Sequence, residues 1–324
     1  MEGTVAWHER VLMHSLCARL HFNPTIFNLT MPLPQFLNRI YSGEALKVLK
    51  RLPTESVDCV VTSPPYWSLR DYGVRHQLGL EERPEEYIER LCAIFDEVRR
   101  VLKPDGTCWV NLGDAYTTRS SKTGKTAKQP QPILSAASNK ALNFRRPLAK
   151  LPAKCLVQLP ARFALSMIDR GWILRNEIIW HKPNCLPQSA RDRFTVDFER
   201  LFFFVKQRHY YFQQQFEPLQ GKERLLQRLL KPGSLRKRVY GDKYVSAINP
   251  STAEASRLRI LRQGRNKRAI WRIAVRPFRG EHFAVYPSEL IETPIKAGCP
   301  KGGIVLDPFM GSGDNSPCGA QARS

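Results

Sequence analysis

An α/β fold, a mostly parallel sheet flanked by helices, is predicted by three features of the chain. Residues 57–62 (Val-Asp-Cys-Val-Val-Thr) and 201–205 (Leu-Phe-Phe-Phe-Val) are short, nearly continuous apolar runs, the pattern of strands covered on both faces. Residues 84–102 place Ile88, Leu91, Phe95, Val98 and Leu102 on one face of a helical repeat. Strands and helices alternate on both sides of a long basic stretch. With 324 residues, 42% of them hydrophobic, the chain can bury a core and form one large domain with an insertion, or two domains.

Residues 1–37 show no clear period and lack the basic-then-apolar layout of a signal peptide. Met31 stands just before the first recognisable element, so this segment reads as an extension upstream of the natural start. Arg39-Ile40-Tyr41 is a short strand, followed by Gly43 and a helix over 45–52. The buried strand at 57–62 stops at Ser63-Pro64-Pro65. The helix over 84–102 opens on Pro84, whose missing N–H costs nothing in a first turn. Glu85 and Glu86 lie near its positive end, with Arg99, Arg100 and Lys103 near its negative end. Residues 107–112 form the next strand, closing on Gly113-Asp114. A helix over 156–169 ends at Gly171, a strand follows over 173–180, and 201–205 is a strongly apolar strand. Val305-Leu306 is a last buried strand that leads into a glycine-rich turn.

Charge narrows the function. Lys plus Arg number 51 against 29 Asp plus Glu, a net charge of +22, which calls for a polyanionic partner such as nucleic acid. Residues 219–279 hold 17 Lys or Arg and three acids, so they carry +14 of that total and read as an inserted recognition region. Residues 117–128 read as a mobile basic loop. The eight cysteines form no Cys-x-x-Cys pair and sit near no histidine at metal spacing, so they read as reduced cytosolic thiols with no metal site. No apolar run approaches the length that spans a bilayer.

Two motifs stand at strand ends. Thr62-Ser63-Pro64-Pro65-Tyr66-Trp67 offers a hydroxyl acceptor at Ser63 and a carbonyl acceptor at Pro64, on a backbone stiffened by two prolines. Tyr66 can stack on a flat ring, and Trp67 can wall the pocket or face a cation. Such fixed acceptors suit an exocyclic amine whose lone pair must be freed from the ring for attack. Asp307-Pro308-Phe309-Met310-Gly311-Ser312-Gly313 is a turn in which Gly311 and Gly313 let the backbone approach a ligand. Gly113-Asp114 reads as a strand terminator.

These motifs, in this order, resemble the beta-type DNA amino-methyltransferases. The resemblance runs over roughly residues 38–313 and includes 58–73, 101–106, 171–175, 179–184, Asn266-Lys267-Arg268 leading to Trp271, and His282-Phe283-Ala284 with Pro287 and Leu290. It implies a Rossmann-like α/β methyltransferase sheet with circularly permuted motif order. It assigns Ser63, Pro64, Pro65 and Tyr66 to catalysis. It assigns Asp307, Pro308, Phe309, Gly311, Ser312, Gly313, Phe283, Pro287 and Glu44 to S-adenosyl-L-methionine. Glu44 stands where the family usually has Asp.

The basic residues Lys122, Lys125, Lys128, Lys182, Arg236, Lys237, Arg238, Arg265, Lys267 and Arg268 are the candidates to hold double-stranded DNA. The domains expected are an extension (1–37), a catalytic part (38–212), a basic target-recognition insertion (213–279) and a cofactor-binding part (280–324). Ser at the first motif position implies cytosine-N4 methylation, with adenine-N6 as the alternative. The family also implies a cytoplasmic enzyme, with a cognate restriction endonuclease as partner. Residues 314–324 hold neither the helix nor the strand with which the family continues. The expectation is therefore a truncated sheet, with a gap between the strand at Leu306 and that at Arg39–Tyr41 and with half the cofactor wall missing. The alternative that follows is a non-catalytic DNA-binding remnant.

Overall fold

Buried apolar runs and one strong amphipathic helix organise the protein, seen here in a computed structural model. The structure describes residues 36–69, 77–117, 151–218, 264–275 and 286–310, together with the backbone of 10–15. Its elements are β1 (Arg10–Ser15), β2 (Arg39–Ser42), α1 (Ala45–Leu49), β3 (Val57–Thr62), α2 (Pro84–Val101), β4 (Leu102–Leu112), α3 (Leu159–Asp169), β5 (Ile173–His181), β6 (Phe198–Val205), β7 (Phe216–Glu217), β8 (Arg265–Asn266), β9 (Ile270–Arg272), α4 (Ser288–Gly298) and β10 (Ile304–Asp307).

The main sheet has the order β2-β1-β10-β3-β4-β6-β5-β9. β3 lies between β10 and β4, parallel to both, and all six of its residues are buried. That is why its sequence does not alternate. β6 runs antiparallel to β4 and β5, and β5 is parallel to β9. Six strands therefore point one way, and β1 and β6 oppose them. The carboxyl ends of β2, β10, β3, β4, β5 and β9 share one edge with the starts of β1 and β6, so residues far apart in sequence converge there.

α2 covers the sheet through Tyr87, Ile88, Leu91, Phe95 and Val98, all buried. Each large apolar side chain so buried contributes about 1.5–3 kcal/mol, as an upper estimate. The Phe163 ring of α3 meets Phe95, Phe202 and Phe204 in tilted or edge-on contacts. This knits α2, α3 and β6 into one core.

One expectation is corrected. The segment before residue 38 supplies β1. There is therefore no gap beside β10: β1 occupies that position, pairing Leu12 with Asp307 on one side and Arg10 with Ser42 on the other, antiparallel to both neighbours. Strand pairing needs only matching rows of backbone donors and acceptors, so neither direction nor chain order prevents a distant segment from filling the slot. The second compact unit is Gln213–Ala269, and from Ile270 the chain supplies β9 to the main sheet. Within that second unit β7 and β8 pair, and Glu217 binds both Arg265 and Arg268.

Among the described residues, no helix is long and apolar enough to cross a membrane, and no group of three or more His, Cys, Asp or Glu could hold a metal ion.

Candidate active site

The two sequence motifs meet at the shared edge. Thr62, the last residue of β3, donates its hydroxyl to Asp307 Oδ1 at 2.5 Å. Asp307 closes β10 and is only 4% exposed. The same oxygen accepts the Phe309 amide at 2.9 Å, and Oδ2 accepts the Tyr286 hydroxyl at 3.3 Å. One buried carboxylate thus fixes the turn after β10 and fastens it to the residue before Ser63. A buried charge with such partners holds a local geometry.

Within the turn after β3 the backbone acceptors differ. The Pro65 carbonyl is taken by the buried Tyr87 hydroxyl at 2.9 Å. The Pro64 carbonyl receives no hydrogen bond from any described residue. The Trp67 ring, read from sequence as a pocket wall or a face for a cation, packs in the core, and its Nε1 donates to the Glu81 carbonyl at 3.0 Å. An indole N–H that finds a carbonyl under the loop is better satisfied there than at an open cleft.

Tyr66 is the centre of a polar network. Its hydroxyl donates to Glu199 Oε2 at 2.6 Å. Asn111 Nδ2 donates to the same oxygen at 3.0 Å, and the Lys182 ammonium binds Glu199 Oε1. Lys182 also lies over the Trp180 ring, 4.4 Å from its centroid. The Tyr66 ring rests on Gly113, where an added side-chain carbon would sit 2.5 Å from Tyr66 Cε2. Only bare backbone fits there. Burial, and then the Glu199 carboxylate with its hydrogen bond, push the phenol well above the usual tyrosine range. The nearby Ser63 hydroxyl acts the other way. Next along β4, Asp114 Oδ1 accepts the Leu159 amide at 3.0 Å and so caps the start of α3.

Residues 57–314 match the N6_N4_Mtase family, described as DNA methylase. The chain belongs to the N6/N4 DNA methylase family. It is 39% identical over 278 residues to the type II methyltransferase M.XycI of Xanthomonas campestris pv. cyanopsidis, covering 85% of this chain and 77% of that one. It is 38% identical over 274 residues to M.Cfr9I of Citrobacter freundii, with the same two coverages. The solved structure of the PvuII DNA methyltransferase (cytosine-N4-specific) aligns with 80% of this chain and 70% of its own, at 19% identity and a TM-score of 0.46.

In this methylase the predicted site residues separate into groups. Ser63, Pro64, Pro65 and Tyr66 stand at the end of β3, next to Asp307 and Pro308 at the end of β10. Phe309 is buried within the core cluster. Glu44 follows β2 with its side chain 53% exposed and pairs with Lys47 at 2.8 Å. Pro287 is buried at the start of α4. Gly311, Ser312, Gly313 and Phe283 lie outside the described residues.

Among the basic candidates, Lys182 is not a free surface cation. Its side chain is 20% exposed and neutralises Glu199. Arg265 and Arg268 share Glu217, and the Lys267 amide donates to the Gln215 carbonyl at 2.9 Å. Lys122, Lys125, Lys128, Arg236, Lys237 and Arg238 lie outside the described residues. The reading from sequence missed Glu199, Asn111 and Gly113. The signal for Glu199 is an acid that, with Arg200, is charged in a strand whose other residues are all apolar, a place where a carboxylate needs a partner.

Proposed function

We propose that this methylase transfers a methyl group from S-adenosyl-L-methionine to the N4 amine of cytosine in double-stranded DNA. The observation that carries this reading is the Thr62–Asp307 bond, which sets the Ser-Pro-Pro-Tyr turn beside the turn of the glycine-rich motif. Ser63 and the Pro64 carbonyl are the acceptors for the two amine hydrogens, and they favour a tetrahedral nitrogen with its lone pair free. Tyr66 supplies the face on which the base lies, once the base has left the duplex. The serine hydroxyl at the first motif position favours cytosine-N4 over adenine-N6.

The described residues fit the cofactor. Glu44 presents a half-exposed carboxylate at the end of β2, an acceptor suited to hydroxyls or an amine. Asp307 stiffens the turn through Pro308 and Phe309, and Gly311, Ser312, Gly313, Phe283 and Pro287 are the further candidates to meet the cofactor. S-adenosyl-L-methionine supplies a methyl group already activated on a sulfonium. The work of the protein is then mostly positioning. Lys122, Lys125, Lys128, Arg236, Lys237, Arg238, Arg265, Lys267 and Arg268 are the candidates to hold phosphates around the flipped base. In a type II system a cognate restriction endonuclease, acting on the unmethylated site in the cytoplasm, would be the functional counterpart.

The test is label transfer from methyl-labelled S-adenosyl-L-methionine to unmethylated bacterial DNA, followed by digestion to nucleosides and mass spectrometry. N4-methylcytosine is the expected product. N6-methyladenine would move the reading to the adenine class, and label in neither nucleoside would overturn it.

A further inference from the structure

Glu199 belongs to neither motif, yet it touches the first of them. It stands near the start of β6, which runs against β4 and β5, so the sheet delivers its side chain to the edge where those strands end. The side chain is 17% exposed, and its two oxygens collect donors from three separate elements. These are Tyr66 after β3, Asn111 near the end of β4, and Lys182 after β5. A carboxylate this enclosed is costly unless its charge and lone pairs are met, and here both are.

The direction of each hydrogen bond follows from chemistry. An ionised carboxylate can only accept, so Tyr66 must spend its single proton on Glu199. Gly113 beneath the ring and the bond to Glu199 at its far end hold the phenol in one orientation.

We propose that Glu199 is a positioning residue for methyl transfer, acting through Tyr66 to hold the ring on which the target base lies at a fixed tilt. This rests on the proposed methyl-transfer reading, in which Ser63 accepts from the target amine and the base lies on Tyr66. Lys182 serves as the counter-charge of Glu199 in its enclosed position, and Asn111 donates beside Tyr66 to Oε2. In Glu199→Gln a single carbonyl oxygen faces three donors, and the amide N–H₂ must meet one of them, so the relay is scrambled without loss of side-chain volume. Tyr66→Phe cuts the relay at its middle and leaves ring and core in place.

The experiment measures kcat, KM for DNA and thermal midpoint for Tyr66→Phe, Glu199→Gln, the double variant and Ser63→Ala, using unmethylated bacterial DNA and labelled S-adenosyl-L-methionine. The relay predicts that Tyr66→Phe lowers kcat about tenfold, the worth of one oriented hydrogen bond, with KM and midpoint close to the parent. Glu199→Gln loses at least as much, and the double variant is no slower than Glu199→Gln alone, because the two residues act in series. Losses that multiply in the double variant would overturn the proposal. So would full activity in Tyr66→Phe alongside an inactive Ser63→Ala. Full activity in Ser63→Ala would instead sink the amine-acceptor reading itself. A Glu199→Gln variant that fails to fold leaves Tyr66→Phe to decide.

Discussion

The Thr62–Asp307 pair shows how much of a site can depend on one short bond. Thr62 is 1% exposed and Asp307 4%, so no water replaces the hydroxyl if it is removed. Thr62→Val keeps the shape and deletes the donor. Leaving a buried carboxylate short of one partner costs about 1–3 kcal/mol, and the expected outcome is a lower urea midpoint together with a loss of methyl transfer. An unchanged midpoint would mean that the remaining partners of Asp307, among them the Phe309 amide and the Tyr286 hydroxyl, hold the turn. Gly113 makes a second case. A methyl group there would enter the Tyr66 ring, which is anchored at its other end by Glu199. Gly113→Ala should therefore reduce activity more than stability, because the ring can yield only by tilting. Full activity in that variant would show that the tilt is unimportant.

Elements whose identity depends on neighbours in sequence were legible, and those that depend on distant partners were not. β3 occupies the predicted residues, and α2 ends one residue early, since an apolar run and a 3.6-residue stripe are local signals. β1 was invisible, because Arg-Val-Leu-Met-His-Ser becomes a strand only by pairing with β10 and β2, which are remote in the chain. β9 was hidden by its charged surroundings for the same reason. The two motifs of the site were legible as motifs, but Glu199 was not, since its role exists only because β6 is reversed among parallel strands. The slot held by β1 yields a prediction at this scale. A chain starting at residue 36 would expose the facing edges of β10 and β2. The expected outcome is a lower thermal midpoint and concentration-dependent aggregation, checked by light scattering. A monomeric, equally stable shortened chain would show that β1 contributes nothing to the sheet.

For the whole molecule, two properties follow from where its ionisable groups sit. Burial raises the thiols of Cys92 and Cys299 to about 12, and those of Cys59 and Cys108 are raised as well. Burial also raises the phenols of Tyr66 and Tyr87. In the unfolded chain thiols ionise near 9. The stability gained by keeping them neutral is therefore full below that pH and is lost as pH climbs toward 12. Urea midpoints should fall steadily from pH 8 to pH 11, and a flat profile would place these groups in contact with solvent. The second property is the net charge of +22, which outruns what folding needs. Several described cations are already spent on internal partners: Lys182 on Glu199, Lys103 on Asp58, Arg170 on Glu89 and Asp96. The densest basic run in the chain is Arg236-Lys237-Arg238, which makes it the first of the candidate phosphate contacts to test. DNA binding should weaken steeply with salt, each phosphate contact adding about 0.9 to the log–log slope. Replacing all three by Gln should flatten that slope by up to about three units, with the methyl-transfer rate at saturating DNA little changed. An unchanged slope would assign the contact surface to other cations, with Lys122, Lys125 and Lys128 the next to neutralise.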